Sequence, residues 1–196
     1  MKKARILSSN SHIDYVARVI DDGEMDDAAG AHAHDFAKFV SFPIADGAAV
    51  GVIYDSKLIN PQFTAFGPRL SRRSGLSELA PDQVNEQTAV VGIILLGTVT
   101  AAGEVSHGIP PAMLSPGLDA KPMSPEEIAA FHTGADGQMQ LRYFAQVKAN
   151  AGLLAVPLLE AIIDTLLPAC SDADAKRLKL LRQTLVWERT IGSMHA

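Results

Sequence analysis

Apolar and polar residues alternate with a period of two along much of the first half of the chain. In "HIDYVARVI", residues 12–20, Ile13, Tyr15, Ala17 and Val19 fall on one face and Asp14, Val16 and Arg18 on the other. That is the pattern of a strand with one buried side. "ARILSS" before it is a second strand, rich in aliphatic residues. "DFAKFVSFPI" sets Phe36, Lys38, Val40 and Phe42 against Ala37, Phe39 and Ser41. "AAVGVIYD" and "TAVVGIILLGTVT" are continuous apolar runs between turn residues, as expected for strands buried on both faces or crossing a barrel. Gly51, Gly92 and Gly97 lie inside those runs, and a glycine within a strand marks a bulge or the tight bend of a small barrel.

The period changes near the middle. "HGIPPAMLSPGLDAKPMSPEE", residues 107–127, holds five of the eleven prolines and reads as a boundary or wrapping segment. Beyond it the spacing is helical. Ser124 is an N-cap followed by Pro125 at the first helical position and Glu127 three residues on, a capping box. "QMQLRYFAQVKANAGLLAV" and "SDADAKRLKLLRQTLVWERTIGSM" are read as two longer helices. In the second, Leu178, Leu181 and Leu185 form a stripe widened by Val186, and Asp172 and Asp174 favour its N-terminus. The fold class that follows is α+β: a small antiparallel β-barrel of six or seven strands over residues 1–111, a Pro-rich connection over 112–123, and a C-terminal α-helical subdomain over 124–196.

Composition narrows the function. The 196 residues are 47% hydrophobic but only 6% aromatic, so the core is aliphatic. A formal charge of −5 argues against non-specific coating of nucleic acid. Cys170 is the single cysteine, which excludes an internal disulfide and a cysteine-cluster metal site. It stands at the end of an apolar helix as a small packing residue. The N-terminus lacks a secretory pattern, so the expected location is cytoplasmic. The most apolar stretch, residues 151–170, contains Glu160, Asp164, Pro157 and Pro168. Its two carboxylates stand four apart on one helical face, so it is read as an amphipathic helix rather than a membrane span.

Two clusters are candidates for chemistry. The first is "AHAHD": in an extended segment His32 and His34 point the same way, and with Asp35 they could hold a metal. The competing reading is a solvated acidic loop, since residues 21–35 carry six carboxylates and no lysine or arginine. The second is "RLSRR", with Arg69, Arg72 and Arg73. Three guanidinium groups suit a phosphate, a nucleic-acid backbone or an acidic protein surface; a solvated connection ranks first, a protein contact second and phosphate third. "PDQVNEQ", residues 81–87, reads as turn chemistry. The chain has no phosphate-loop glycine–lysine motif, no G-x-G-x-x-G after a strand, no G-x-S-x-G, no H-E-x-x-H and no C-x-x-C. No cofactor is implied.

The succession "HIDYVARVIDDGE", "DFAKFVSFPI", "VGVIYDSKLINP", "GPRLS", "PDQVNEQTAVVGIILLG" and "HGIPP" resembles the HAS-barrel. That is the small β-barrel at the N-terminus of HerA-type DNA-translocating ATPases and rotary ATP synthase subunits. The resemblance covers about residues 6–111. It implies a barrel without catalysis that joins subunits and offers a docking surface. No ATPase core follows in this sequence, and no family active-site residue maps onto it. The expected function is therefore a non-catalytic adaptor, self-associating or partnering a HerA-like ATPase or nuclease, with Arg69, Arg72 and Arg73 as the contact and the acidic loop as the opposing surface. The alternatives are a small metal-dependent enzyme using His32, His34 and Asp35, or a nucleic-acid-binding barrel. The last is disfavoured because aromatics do not interleave with basic residues.

Overall fold

The computed structural model describes residues 3–20, 35–59 and 88–192. The strands are β1 (Lys3–Ser9), β2 (Asp14–Ile20), β3 (Phe39–Ile44), β4 (Gly47–Ile59), β5 (Thr88–Thr100), β6 (Val105–His107) and β7 (Asp119–Pro122). All pairings are antiparallel. The order β2-β1-β7-β3-β4-β5 closes on itself through a further β2–β5 pairing, and β6 extends the far half of β5. The result is a closed six-stranded barrel followed by helices, the α+β fold that the patterning predicts.

Closure depends on bending the two longest strands. The β4–β5 ladder shifts register between Val50 and Gly51 and again between Ile53 and Asp55. The glycines sit at those irregularities: Gly51 at the first shift, with Gly97 paired to Val50, and Gly92 paired to Asp55 at the second. At Gly92 the need for a glycine is steric, because a Cβ there would lie 2.8 Å from the Tyr54 ring. The bends let β5 serve two neighbours on one edge, with Val90–Ile94 on β2 and Gly97–Val99 on β6.

The segment 112–123, read as a connection, also builds the barrel. Its Leu114 is buried in the interior, and its residues Asp119–Pro122 form β7 between β1 and β3. Only Ala120 of that strand is buried, so no apolar alternation announces it. The strand is specified from outside. Arg5 stands opposite Asp119 and bonds it through Nε at 2.7 Å, and Pro122 ends the strand, where its missing N–H is tolerated.

Each wall of the barrel has an inside and an outside, and along β3, β4 and β5 both are apolar. The interior is filled by Ile6, Tyr15, Val40, Phe42, Ile53, Ile93 and Leu95, among others. The outer face presents Phe39, Val50, Val52, Ile94 and Leu96, which share a second core with the helices. This double burial explains the continuous apolar runs. The barrel and the helices are thus packed through one seam.

The helices are α1 (Pro125–His132), α2 (Phe144–Asn150), α3 (Ala155–Leu166) and α4 (Asp172–Gly192). The capping box of α1 is present as the sequence predicts: Glu127 N–H donates to Ser124 Oγ at 3.2 Å, and Ser124 N–H to Glu127 Oε2 at 2.7 Å. The expected single helix over 138–156 is instead broken. Residues 138–143 form a non-helical arm, with Met139 bridged to Thr133 and a turn at Arg142 and Tyr143, before α2 starts at Phe144. After α2, Gly152 takes φ 55° and turns the chain into α3, a left-handed residue that a regular helix does not carry through.

Within the apolar stretch Gly152–Ala169 the regular helix α3 has 12 residues. It buries Leu158, Leu159, Ile162, Ile163 and Leu166 in the seam. Asp164 points outward and pairs with Arg182 of α4 at 3.3 Å. On α4 the buried ridge is Asp174, Leu178 and Leu185, with Leu181 half-buried beside them. Val186 does not widen it and is exposed, because one residue past Leu185 is a rotation of roughly 100° off the ridge. Cys170 is half-buried, its thiol directed to the Leu167 carbonyl.

Candidate functional site

Arg69, Arg72 and Arg73, together with His32 and His34 and the segment 81–87, lie outside the described residues. Asp35 is described: it is exposed in the turn before β3, and its carbonyl accepts the Lys38 N–H at 3.2 Å. Among the described residues, no group of three His, Cys, Asp or Glu side chains converges as a metal site.

The described polar chemistry gathers instead at the seam, where β6, α1 and the arm meet. The sequence in register decides this. β6 ends at His107, α1 ends at His132, and the arm runs through Arg142 into Tyr143. His107 and His132 have ring centroids 5.8 Å apart, and the Tyr143 ring lies within 5.6 Å of both, at 5.2 and 5.6 Å. Phe39 from the barrel stands edge-on to His132 at 5.2 Å, and Phe131 packs beside His107 at 4.5 Å.

Every ring nitrogen of the pair is engaged. His132 Nδ1 lies 2.7 Å from the Ile128 carbonyl and Nε2 lies 2.6 Å from the Tyr143 hydroxyl. A carbonyl only accepts, so Nδ1 carries the proton, and the neutral ring accepts the Tyr143 O–H at Nε2. The same logic fixes His107. Its Nε2 donates to the Phe131 carbonyl at 2.8 Å, and its Nδ1 accepts the Arg142 backbone N–H at 3.3 Å. Burial lowers the pKa of His132 to about 4, with the neighbouring His107 adding to the shift. Burial and the Arg142 charge lower that of His107, against an upward pull from the Phe131 carbonyl. Burial pushes the Tyr143 phenol up. Both histidines are therefore held neutral. With every ring nitrogen bonded to a neighbouring element, the pair clamps the seam.

Beside it opens a groove of about 460 Å³ between the arm and α4. Met139, Leu178 and Leu181 supply its apolar lining, and Gln138, Arg142 and Arg177 are among its polar residues. Arg177 bonds Gln138 Oε1 at 3.0 Å and Asp174 Oδ1 at 3.2 Å, which ties the arm to the last helix. On the opposite side of α4 from its buried ridge, Leu180 and Trp187, seven residues apart, are 65% and 70% exposed.

A family model described as a domain of unknown function, DUF8166, matches residues 1–195. The chain belongs to that family. No curated protein matches it. Membership of DUF8166 assigns no chemistry to the histidine clamp or to the groove.

The clamp has no sequence signature. His132 follows an apolar helical face as any capping histidine does, and Tyr143 reads as an ordinary core aromatic. Their meeting depends on the break before α2, which the helical pattern of 138–156 concealed.

Proposed function

We propose that this chain is a non-catalytic barrel that works through protein contact, by self-association and by docking a HerA-like DNA-translocating ATPase or nuclease. The observation that carries this reading is where the strands end. Ile20 pairs with Lys3, Arg18 with Val90, and Ile59 with Thr88, so Ile20, Ile59 and Thr88 share one rim of the barrel. The acidic run 21–34 follows Ile20 in the chain, and the stretch containing Arg69, Arg72 and Arg73 follows Ile59 and precedes Thr88. Segments of opposite charge that continue from strand ends on one rim suit a contact between copies, acidic run to arginines. A closed antiparallel barrel is the architecture that the HAS-barrel resemblance calls for.

Sedimentation velocity across protein concentration and salt tests the reading. The expected result is self-association that weakens in high salt and is lost in the triple variant Arg69→Glu, Arg72→Glu, Arg73→Glu. Co-sedimentation with a purified HerA-type ATPase tests the second contact. A protein that stays monomeric under every condition and migrates apart from the ATPase overturns the proposal.

A further inference from the structure

We propose that His107 and His132 form a proton-operated latch that holds the arm, residues 138–143, against the barrel. The two rings reach the arm from different elements, His107 from β6 and His132 from α1, and they grip neighbouring residues. His107 Nδ1 accepts the backbone N–H of Arg142, and His132 Nε2 accepts the hydroxyl of Tyr143. The other nitrogen of each ring is committed as a donor to a backbone carbonyl. A proton added to either ring must therefore land on the nitrogen that faces the arm. There it sets an N–H against an N–H at Arg142, or against an O–H at Tyr143.

Neither clash is easily relieved. The Arg142 donor is backbone and cannot rotate away. The Tyr143 hydroxyl could turn, but the side chain is fully buried, and its ring neighbours are Phe131 and the two imidazoles. The titratable and charged groups that face the pair are Arg142 and Tyr143 from the arm and the histidines themselves. The barrel contributes the Phe39 ring, and α1 the Phe131 ring with the carbonyls of Phe131 and Ile128. Neither ring has a carboxylate partner among the described residues, so nothing there rewards a positive charge.

The remaining ties of the arm do not pass through either imidazole, and one of them, from the Gln138 N–H to Asp136 Oδ1 at 3.1 Å, ends on a carboxylate. The Gln140 N–H donates to the His132 carbonyl at 2.8 Å, Met139 bridges Thr133, and Gln138 bonds Arg177. Acid therefore frees the Leu141–Tyr143 end while residues 138–140 stay attached. Leu141 and Arg142 line the groove beside α4, so release of that end reshapes the groove. His107, the less buried of the two, takes the first proton, and its charge then opposes the second.

Residue-resolved amide hydrogen exchange from pH 7 to pH 4.5, expressed as protection factors, tests the latch. An opened arm exposes histidines of ordinary affinity for protons, so protection at Arg142 and Val147 should fall at least about tenfold across that range. Ile93 and Leu95 of β5, which open only when the barrel itself unfolds, should stay better protected than Arg142 at every pH. His107→Asn retains an acceptor near the position of Nδ1 but cannot take a proton, and should flatten the pH dependence at Arg142. If that variant does not fold, Tyr143→Phe removes the hydroxyl that opposes a protonated His132, and should also reduce the slope. The proposal is overturned if Arg142 protection does not fall with acid, if Arg142 and Ile93 share one protection factor at every pH, or if every substitution that folds leaves the Arg142 slope unchanged.

Discussion

The same three strands, β3, β4 and β5, build two cores with different chemistry. On the inside, Val40, Phe42, Ile53, Ile93 and Leu95 meet Ile6, Ala17 and Ala120, and the cluster holds no histidine and no carboxylate. The phenol of Tyr15 is its polar member, and it accepts the Leu114 N–H at 3.0 Å. On the outside, Phe39, Val52, Ile94 and Leu96 meet the helices around His132, Tyr143 and His107. Alternation along a strand places one face in a medium that only packs and the other in a medium that also bonds protons. The inner core should answer to volume alone, and the seam to volume and acid.

The largest effect expected from either core is a cavity. Phe42 is fully buried in the barrel interior, and Phe42→Ala should cost about 3–5 kcal/mol in urea unfolding. The difference from the parent should be the same at pH 7 and at pH 5, because nothing beside Phe42 gains a proton between them. A loss that grows in acid would show that the interior and the seam are not separate media.

Acid itself comes next. His132 is held at about 4 in the fold, below its ordinary value of about 6.5 in the unfolded chain. The unfolded chain therefore binds the proton first. The stabilisation is fully present above pH 6.5 and is lost as pH falls toward 4, where the difference reaches about 3 kcal/mol. His107 shifts in the same direction. Unfolding free energies measured across this range should decline for the parent, and in parallel for Phe42→Ala. A flat profile above pH 4 would mean that His132 carries no such shift.

Much of the inner core was legible because its cause is local. Tyr15 and Ala17 alternate on β2, Ile13 continues the period just before it, and all three are buried, and "TAVVGIILLGTVT" is β5 from Thr88 to Thr100. The glycines at 51, 92 and 97 mark the bends because a glycine inside an apolar strand pattern is itself a visible irregularity. What escaped is non-local. β7 exists because β1 and β3 leave a gap that Ala120 and Asp119 fit, and four residues with one small apolar side chain cannot announce that. The seam escaped for a related reason: its polar atoms come from three elements separated by 25 and 11 residues in sequence, at His107, His132 and Tyr143. Helical periodicity across 138–156 is genuine at Tyr143, Val147, Ala151 and Ala155, which are all buried. It could not reveal that Gly152 interrupts the backbone between them.

The smallest of these effects discriminates most sharply between two media and one. Ser124, half-buried, caps α1 by accepting the Glu127 N–H, while the far end of α1 delivers Phe131 and His132 into the seam. Ser124→Ala removes one capping bond and should cost about 1 kcal/mol. None of that bond reaches the barrel interior. If the seam opens separately from the barrel, Ile128 and His132 should exchange through a smaller opening free energy than Ile93 and Leu95, and that smaller value should fall by the cost of the cap. If instead all four amides share one opening free energy, the helices and the barrel unfold as one cooperative unit. The two cores would then differ in their chemistry but not in their stability, and the separate response to acid would have to arise from the latch alone.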